Sequence, residues 1–132
     1  MKYLLLWIWQ LPQHLLALAI FAVLRLLGKI NAVCVFKPGY PGHDRHINVD
    51  FPMGLSLGNY IFVQSGCSET TENHERGHSV QSLYLGPLYL LIIGLPSLTG
   101  NIYDRICHKG SSWYYKQPWE AWADKLGGVV RK

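Results

Sequence analysis

The chain has 132 residues, of which 49% are hydrophobic and only 15% carry a charged side chain. This length fits one domain and excludes folds that need a large α/β core. The composition is too apolar for a disordered chain, and it favours a membrane-associated protein over an average soluble one. The net charge of +4 is scattered along the chain rather than gathered into a stripe, so no nucleic-acid partner is expected.

The first segment of the chain is predicted to be a membrane anchor. Residues 3–24 carry no formal charge, and as one helix they would measure about 33 Å, enough for a bilayer core of about 30 Å. We therefore predict a transmembrane helix within residues 1–30, with a cleaved signal peptide as the alternative. Lys2 precedes the segment alone, whereas Arg25 and Lys29 follow it. This bias predicts an integral membrane protein whose residues 31–132 lie in the cytoplasm.

The remaining residues predict an α+β fold. Short β-prone runs at 32–36, 46–51 and 59–64 are separated by glycine and proline and indicate a small, mainly antiparallel sheet. Ser68 and the acidic residues after it are typical of a helix start, and this helix should run to about residue 83. An apolar block at 83–98 follows, and a last helix is expected over 113–132, with a proline near its first turn and two glycines near its end.

The polar helix contains an HExxH sequence, which is the most informative motif of the chain. His74 and His78 are four residues apart, so a helix places both on one face, where their imidazole nitrogens can bind one Zn²⁺. Glu75 then lies beside the metal, in position to take a proton from a bound water. The alternative is a pair of surface histidines on a solvated helix.

A catalytic zinc site needs a third protein ligand and an open fourth position for water. The metzincin spacing is excluded, because Gln81 and Tyr84 stand where it requires glycine and histidine. Glu120 and Asp124 are spaced four apart in the last helix, so Glu120 can bind zinc while Asp124 accepts the far N–H of a ligating histidine. An ordinary acidic surface stripe is the alternative for this pair.

The block at 83–98 is subject to a geometric constraint that is independent of family. If it crossed a bilayer once, the two histidines and Glu120 would lie on opposite sides and could not share a metal ion. As a helix it would measure only about 24 Å, and its glycines and prolines suit a re-entrant or interfacial hairpin. A buried core element is the alternative. In either case we expect the site to lie near the membrane surface.

Together, the HExxH sequence at 74–78, the segment Glu120-Ala-Trp-Ala-Asp124 and the two glycines after it resemble the gluzincin metallopeptidases. The likeness covers about residues 72–128 and is greatest to the membrane-bound CAAX prenyl-endopeptidase and heat-shock membrane protease type, while short mini-gluzincins match the length better. The resemblance implies a zinc-dependent endopeptidase domain with His74, His78 and Glu120 as ligands, Glu75 as general base and Asp124 supporting a ligand. It also suggests that the strand at 59–64 is an edge strand over the cleft, to which a substrate peptide adds by main-chain hydrogen bonds, with a plain structural strand as the alternative.

The expected reaction is hydrolysis of a peptide bond in a peptide or protein substrate. Zinc would activate a water molecule, and Glu75 would transfer its proton to the leaving amine. The candidates for stabilising the oxyanion, by residue type and by proximity to Glu120 in the sequence, are His108, Tyr114, Tyr115 and Arg131. The competing function is a non-catalytic membrane protein with a structural zinc site, acting as an adaptor.

Three other patterns carry less information. Residues 54–58 match the G-x-S-x-G nucleophile elbow, but a β-like run rather than a helix follows Ser56, so a serine hydrolase is not expected. The other histidines, His14, His43, His46 and His108, lack a metal-binding spacing and are predicted to be surface or capping residues. Three widely spaced cysteines without a CxxC pair indicate no disulfide framework and favour a reducing compartment.

Overall fold

The computed structural model describes residues 2–35, 45–51, 54–108 and 111–130. Within these ranges the protein is an α+β structure with six α-helices and one four-stranded sheet, which confirms the predicted fold class. The elements in chain order are α1 (Lys2–Trp9), α2 (Leu11–Leu26), β1 (Ile30–Val35), β2 (Arg45–Val49), β3 (Gly54–Leu57), β4 (Tyr60–Gln64), α3 (Glu69–Leu85), a 3-10 turn (Gly86–Leu88), a π-helical turn (Leu90–Gly94), α4 (Leu95–Cys107), α5 (Ser111–Tyr115) and α6 (Pro118–Gly127).

The sheet is mixed, with the strand order β1-β2-β4-β3. The pairs β1/β2 and β3/β4 are antiparallel, in keeping with the expected mainly antiparallel sheet, but β2 and β4 are parallel. The three predicted strands correspond to β1, β2 and β4, whereas β3 was not predicted because its short Gly-Leu-Ser-Leu sequence resembles a turn. The strand at 59–64 is not an edge strand, which corrects that expectation, since β4 lies between β2 and β3. Ser56 lies within β3 and therefore does not occupy a strand-to-helix elbow.

The N-terminal segment is two helices rather than one. α1 ends at Trp9 and α2 begins at Leu11, with Pro12 in the first turn of α2. Proline lacks an N–H group and its fixed φ suits a first turn, so it favours a new helix start here over the middle of one long helix. Among the described residues, none of the helices has both the length and the apolar composition needed to cross a bilayer unaided.

The core of the protein forms where α2 lies on the sheet. Ala17 of α2 is fully buried against side chains from β2, β3 and β4, of which Phe62 is the largest. These core residues are Ala17, Ile47, Val49, Leu57 and Phe62. The contact joins the predicted anchor region to the predicted catalytic region, because residues on both sides of position 30 contribute to it.

Helix α3 begins as the sequence indicates. Ser68 is its N-cap and accepts a hydrogen bond from the backbone N–H of Thr71 at 3.3 Å, and Glu69 and Glu72 lie in the first turn. These acids stabilise the positive end of the helix dipole. The helix continues two residues beyond the predicted end and stops at Leu85, before Gly86, whose positive φ of 55° favours glycine.

The apolar block turns the chain back toward α3. The helical stretches on either side of Tyr89 are bent by 119° relative to each other. The predicted last helix is in fact two helices, α5 and α6, because Pro118 starts a new one. α6 ends at Gly127 and Gly128, close to the predicted position.

Helices α3 and α6 are in very close contact, and two glycines make this possible. A Cβ atom on Gly77 would lie 1.8 Å from the carbonyl oxygen of Ala123, and one on Gly127 would lie 1.9 Å from that of Asn73. Any larger residue at either position would push the two backbones apart. Gly77, inside the HExxH sequence, therefore sets the distance between the two helices that carry the predicted ligands.

Candidate metal centre

Helix α3 places both histidines of the HExxH sequence on its buried face. His74 and His78 are 3% and 5% exposed, and their rings lie 4.7 Å apart between centroids. Glu75 is 6% exposed although it is ionisable. Burial of three ionisable side chains in neighbouring positions is costly unless they are paired or bind an ion. The alternative of two solvated surface histidines is wrong.

Glu120 reaches the two histidines from α6. Its Oε2 atom lies 2.9 Å from Nε2 of His74 and 3.0 Å from Nε2 of His78, and the residue is fully buried. One ligand atom from each of the three residues can be chosen so that all lie within 4.8 Å of one another. The structure therefore brings together residues that are more than 40 positions apart in the sequence, as the spacing of the motifs predicts.

The donor set fits a divalent transition-metal ion. Ligand atoms around a tetrahedral zinc ion at about 2.0–2.1 Å are separated by about 3.3 Å. The nitrogen-to-oxygen distances of 2.9 and 3.0 Å need to open by only a few tenths of an ångström to reach that value. Two imidazole nitrogens and one carboxylate oxygen suit several such metals, zinc among them.

The far nitrogen of each histidine is held by its own acceptor. His74 Nδ1 donates to Asp124 Oδ1 at 2.6 Å, as predicted, and His78 Nδ1 donates to Gln81 Oε1 at 2.7 Å. The amide of Gln81 is oriented in turn, because its nitrogen donates to the carbonyl of Trp119 at 2.9 Å. With Nδ1 occupied in both rings, Nε2 is the atom that each ring offers to a metal.

The second oxygen of Glu120 is also occupied. Ser97 Oγ donates to Glu120 Oε1 at 2.5 Å, and the hydroxyl of Tyr114 donates to Ser97 Oγ at 2.9 Å. This chain of hydroxyl groups leaves Oε2 directed at the two histidines. Ser97 comes from the apolar block at 83–98, so that block contributes directly to the site.

Gln81 and Ser97 were not predicted as site residues. For Gln81 a signal existed, because it follows His78 by three positions and so lies on the same helix face. For Ser97 no local signal existed, since its approach to Glu120 depends on the bend in the apolar block.

The charges of the site shift the pKa values of its groups when no ion is bound. Burial alone would raise the pKa of Glu120, but hydrogen bonds from His74 and His78 lower it well below the ordinary value. Burial likewise would lower the pKa of His78, yet the hydrogen bond to Glu120 and the nearby carboxylates raise it to about 9. Each shift favours the charged form of a group that has an oppositely charged partner.

Glu75 has a different environment from Glu120. Burial raises its pKa, and the neighbouring histidines offset only part of this increase. Its Oε1 atom lies 3.0 Å from the position that a Cβ atom on Gly54 would occupy, so Glu75 lies against the first residue of β3. The edge strand beside the predicted general base is therefore β3. The Ser56 carbonyl of β3 already accepts a hydrogen bond from Tyr89 at 3.0 Å, whereas Gly54 lies against Glu75.

The four candidate oxyanion stabilisers occupy different places. Tyr115 lies edge-on to His74, with ring centroids 5.0 Å apart, and Tyr114 is linked to Glu120 through Ser97. Burial and the charge of Glu120 raise the pKa of Tyr114 well above the ordinary value, so it stays a hydroxyl donor. His108 is exposed at the end of α4, and Arg131 lies outside the described residues.

The other histidines and the cysteines are distributed as follows. His14 was expected to be a surface or capping residue; it is not on the surface but fully buried, and its Nδ1 bonds the carbonyl of Trp7 in the last turn of α1 at 2.9 Å. His43 and the side chain of His46 lie outside the described part of the structure. Cys67 and Cys107 are free thiols.

A scan against protein-family models and searches of curated proteins and of solved structures give no match. The chemistry of the centre is therefore inferred from its own residues.

Proposed function

We propose that the protein is a zinc-dependent metallopeptidase in which Glu75 is the general base. The observation that carries the proposal is a buried carboxylate, Glu75, adjacent to a His-His-Glu donor group but not part of it. A purely structural metal site has no use for such a carboxylate, whereas hydrolysis requires a base beside the activated water.

The number of donors also favours catalysis over a structural role. Structural zinc sites almost always have four protein ligands, while catalytic sites have three and keep one position open. Within the described residues this group supplies three donors, His74, His78 and Glu120. The adaptor hypothesis, with a closed structural zinc site, is therefore the weaker candidate.

Zinc, when bound, supplies the Lewis acidity that makes a water molecule acidic and polarises the scissile carbonyl group. Glu75 accepts a proton from that water and donates it to the nitrogen of the leaving amine. In the metal-free site burial raises the pKa of Glu75, which favours the uptake of a proton by this carboxylate. Tyr115, whose ring contacts that of His74, is the candidate we favour for donating a hydrogen bond to the developing oxyanion.

A peptide substrate is proposed to bind along the start of β3. Gly54 is exposed and lies against Glu75, so a main chain paired with it would pass close to the general base. Main-chain hydrogen bonds of this kind require no particular substrate sequence. The Ser56 carbonyl is already bonded to Tyr89, so the pairing is short and is limited to the Gly54 end.

The test compares the wild-type protein with Glu75→Gln, Glu120→Ala and the control Glu69→Gln, in which an exposed glutamate of the same helix is neutralised. Zinc content is measured by elemental analysis, and turnover with a peptide library. We expect Glu75→Gln to keep zinc and lose turnover by about 10²- to 10⁴-fold, Glu120→Ala to lose zinc, and Glu69→Gln to retain both. A Glu75→Gln protein as active as wild type would disprove the assignment of the base, and a zinc-loaded wild type that cleaves no peptide would favour the adaptor.

A further inference from the structure

Helices α1 and α2 bury polar side chains where they meet and expose many large apolar ones. In helices packed on a water-soluble protein, apolar residues face the core and polar residues face solvent. Here Gln10, Gln13 and His14 are fully buried, at 0% exposure each, while Ile20, Phe21 and Leu24 further along α2 pack against the core. Nine other large apolar side chains point outward, and we call them the outer face: Leu4, Leu5, Ile8, Trp9, Leu11, Leu15, Leu16, Leu18 and Val23.

The buried polar residues are bonded to the part of the protein that carries the metal centre. Gln10 donates to the side chain of Asn59 at 3.2 Å and accepts from Ser82 at 2.5 Å, while Gln13 donates to Ser82 at 2.9 Å. His14 Nε2 accepts the backbone N–H of Asn59 at 3.0 Å. These bonds join the N-terminal helices to α3 and to the turn between β3 and β4.

The outer face is a wide apolar surface. At about 100° per residue, the exposed large side chains of α2, from Leu18 round to Leu16, cover an arc of about 160°. The apolar stripe of a helix packed on a protein core is about 100° wide or more and faces that core. The arc of α2 instead lies on the exposed side, where lipid hydrocarbon can contact it from every open direction.

The charges near these helices agree with a lipid partner. Residues 3–24 carry no formal charge, whereas Lys2 precedes them and Arg25 and Lys29 follow. Cations at the borders of an apolar segment match the anionic headgroups of a bilayer. Polar side chains within membrane helices characteristically face the protein interior and are bonded there, as Gln10, Gln13 and His14 are.

A second apolar surface begins where α1 meets the bend. Trp9 Nε1 donates to the Leu83 carbonyl at 3.0 Å, and the Trp9 ring lies so close to Gly86 that a Cβ atom there would be 2.1 Å from it. From this contact an exposed apolar stripe with spacings of three and four residues follows the next helical turns: Leu88, Leu91, Leu95, Leu98, Ile102 and Ile106. Residues 84–103 carry no formal charge. The stripe therefore extends the apolar surface away from α1.

We propose that a lipid bilayer with anionic headgroups covers the outer face of α1 and α2, and that these helices insert with their polar side docked on the rest of the protein. This inference is independent of the proposed peptidase activity, because it concerns residues outside the metal centre. It assigns the inserted helices a second role, since their buried amides hold α3 and the β3–β4 turn.

The experiment uses the full chain with its three cysteines replaced by serine. A single cysteine, introduced by Leu15→Cys or Leu18→Cys on the outer face or by Lys125→Cys on exposed α6, is labelled with the environment-sensitive fluorophore NBD. Each labelled protein is mixed with vesicles of phosphatidylcholine and phosphatidylglycerol that contain doxyl groups on the acyl chains. We expect blue-shifted emission and quenching by the doxyl lipids at positions 15 and 18, and neither effect at position 125.

A second measurement covers the case in which labelling disturbs the protein. Leu15→Glu is expected to lower co-sedimentation with the vesicles by at least about tenfold, because a charged side chain at lipid depth is strongly unfavourable. The matched control Lys125→Glu is expected to change it much less. Labels at 15 and 18 that stay as accessible to aqueous iodide as the label at 125 would overturn the proposal. The proposal would also be overturned if the labels at 15 and 18 were shielded from iodide in the absence of lipid and light scattering showed a dimer. A second copy of the chain would then cover the outer face.

Discussion

Replacing Gly77 with alanine is the sharpest test of how the metal centre is built. In the middle of a helix this change normally stabilises a protein by about 1 kcal/mol, because alanine has the better helix propensity. Here the added Cβ atom would lie 1.8 Å from the Ala123 carbonyl oxygen, whereas ordinary contacts begin at 3.4 Å. The structure therefore predicts the opposite sign.

The expected size follows from that overlap. To relieve it, α3 and α6 must separate by about 1.6 Å, the difference between 3.4 and 1.8 Å. Glu120 lies three residues before Ala123 on α6 and moves with it, so its present distances of 2.9 and 3.0 Å to the two imidazoles would become too long for a shared ion. We expect a loss of about 1–3 kcal/mol in stability, a fall in zinc affinity of at least about tenfold and a fall in turnover of about 100-fold.

The assay is thermal unfolding combined with zinc competition against a chromophoric chelator. The control is Gly100→Ala, also in a helix, where the nearest atom to the new Cβ would be 3.8 Å away, an ordinary contact. That variant should be as stable as wild type or more so. A Gly77→Ala protein that binds zinc normally and melts no lower than wild type would refute the close contact of α3 and α6 as the basis of the centre.

Three further predictions concern groups around the centre. Ser97→Ala should lower zinc affinity by about 10- to 100-fold in a chelator competition, because Glu120 Oε1 loses its hydrogen-bond donor. The control Ser97→Thr keeps the hydroxyl group and should stay near wild type. Equal zinc affinities of the two variants would contradict this prediction. Gly54→Ala should reduce turnover by about tenfold without changing zinc content, because the new Cβ atom would lie 3.0 Å from Glu75 Oε1. Unchanged turnover would argue against Glu75 acting as the base from this position. The pKa of His78 is raised from 6.5 to about 9 without metal, so its contribution to stability is complete below pH 6.5 and is lost as the pH rises through about 9. Between pH 6.5 and 9 the melting temperature should therefore fall more in the presence of chelator than in the presence of zinc. The same fall in both conditions would refute this prediction.

The parts of the centre that the sequence predicts are those set by helical periodicity. His74 and His78, and likewise Glu120 and Asp124, are pairs spaced by one turn, so each pair lies on one face whatever the tertiary structure. Ser97 could not be found this way, because its contact with Glu120 depends on a bend of 119° between two consecutive helical stretches. The parallel pairing of β2 and β4 also depends on long-range contacts rather than on any local pattern.

The N-terminal helices illustrate the limit of hydropathy. An apolar composition does not tell whether leucines face a core or lie outside it, and the single predicted helix proved to be two. A usable signal was present in the spacing of Gln10, Gln13 and His14, at positions i, i+3 and i+4, which places three polar groups on one side. Their burial turns the polar side of the chain toward the protein where α1 meets α2.

The convergence of α3 and α6 has a consequence for how the chain resists unfolding. A cation held by His78 and Glu120 acts as a reversible staple between residues 42 positions apart. A covalent staple closing a loop of this size would stabilise the folded chain by about 4 kcal/mol by restricting the entropy of the unfolded one. Fully buried apolar side chains are few in the part of the chain that the structure describes, so such a constraint would contribute much to stability. Chelation should therefore release the C-terminal helix first, exposing it to proteolysis.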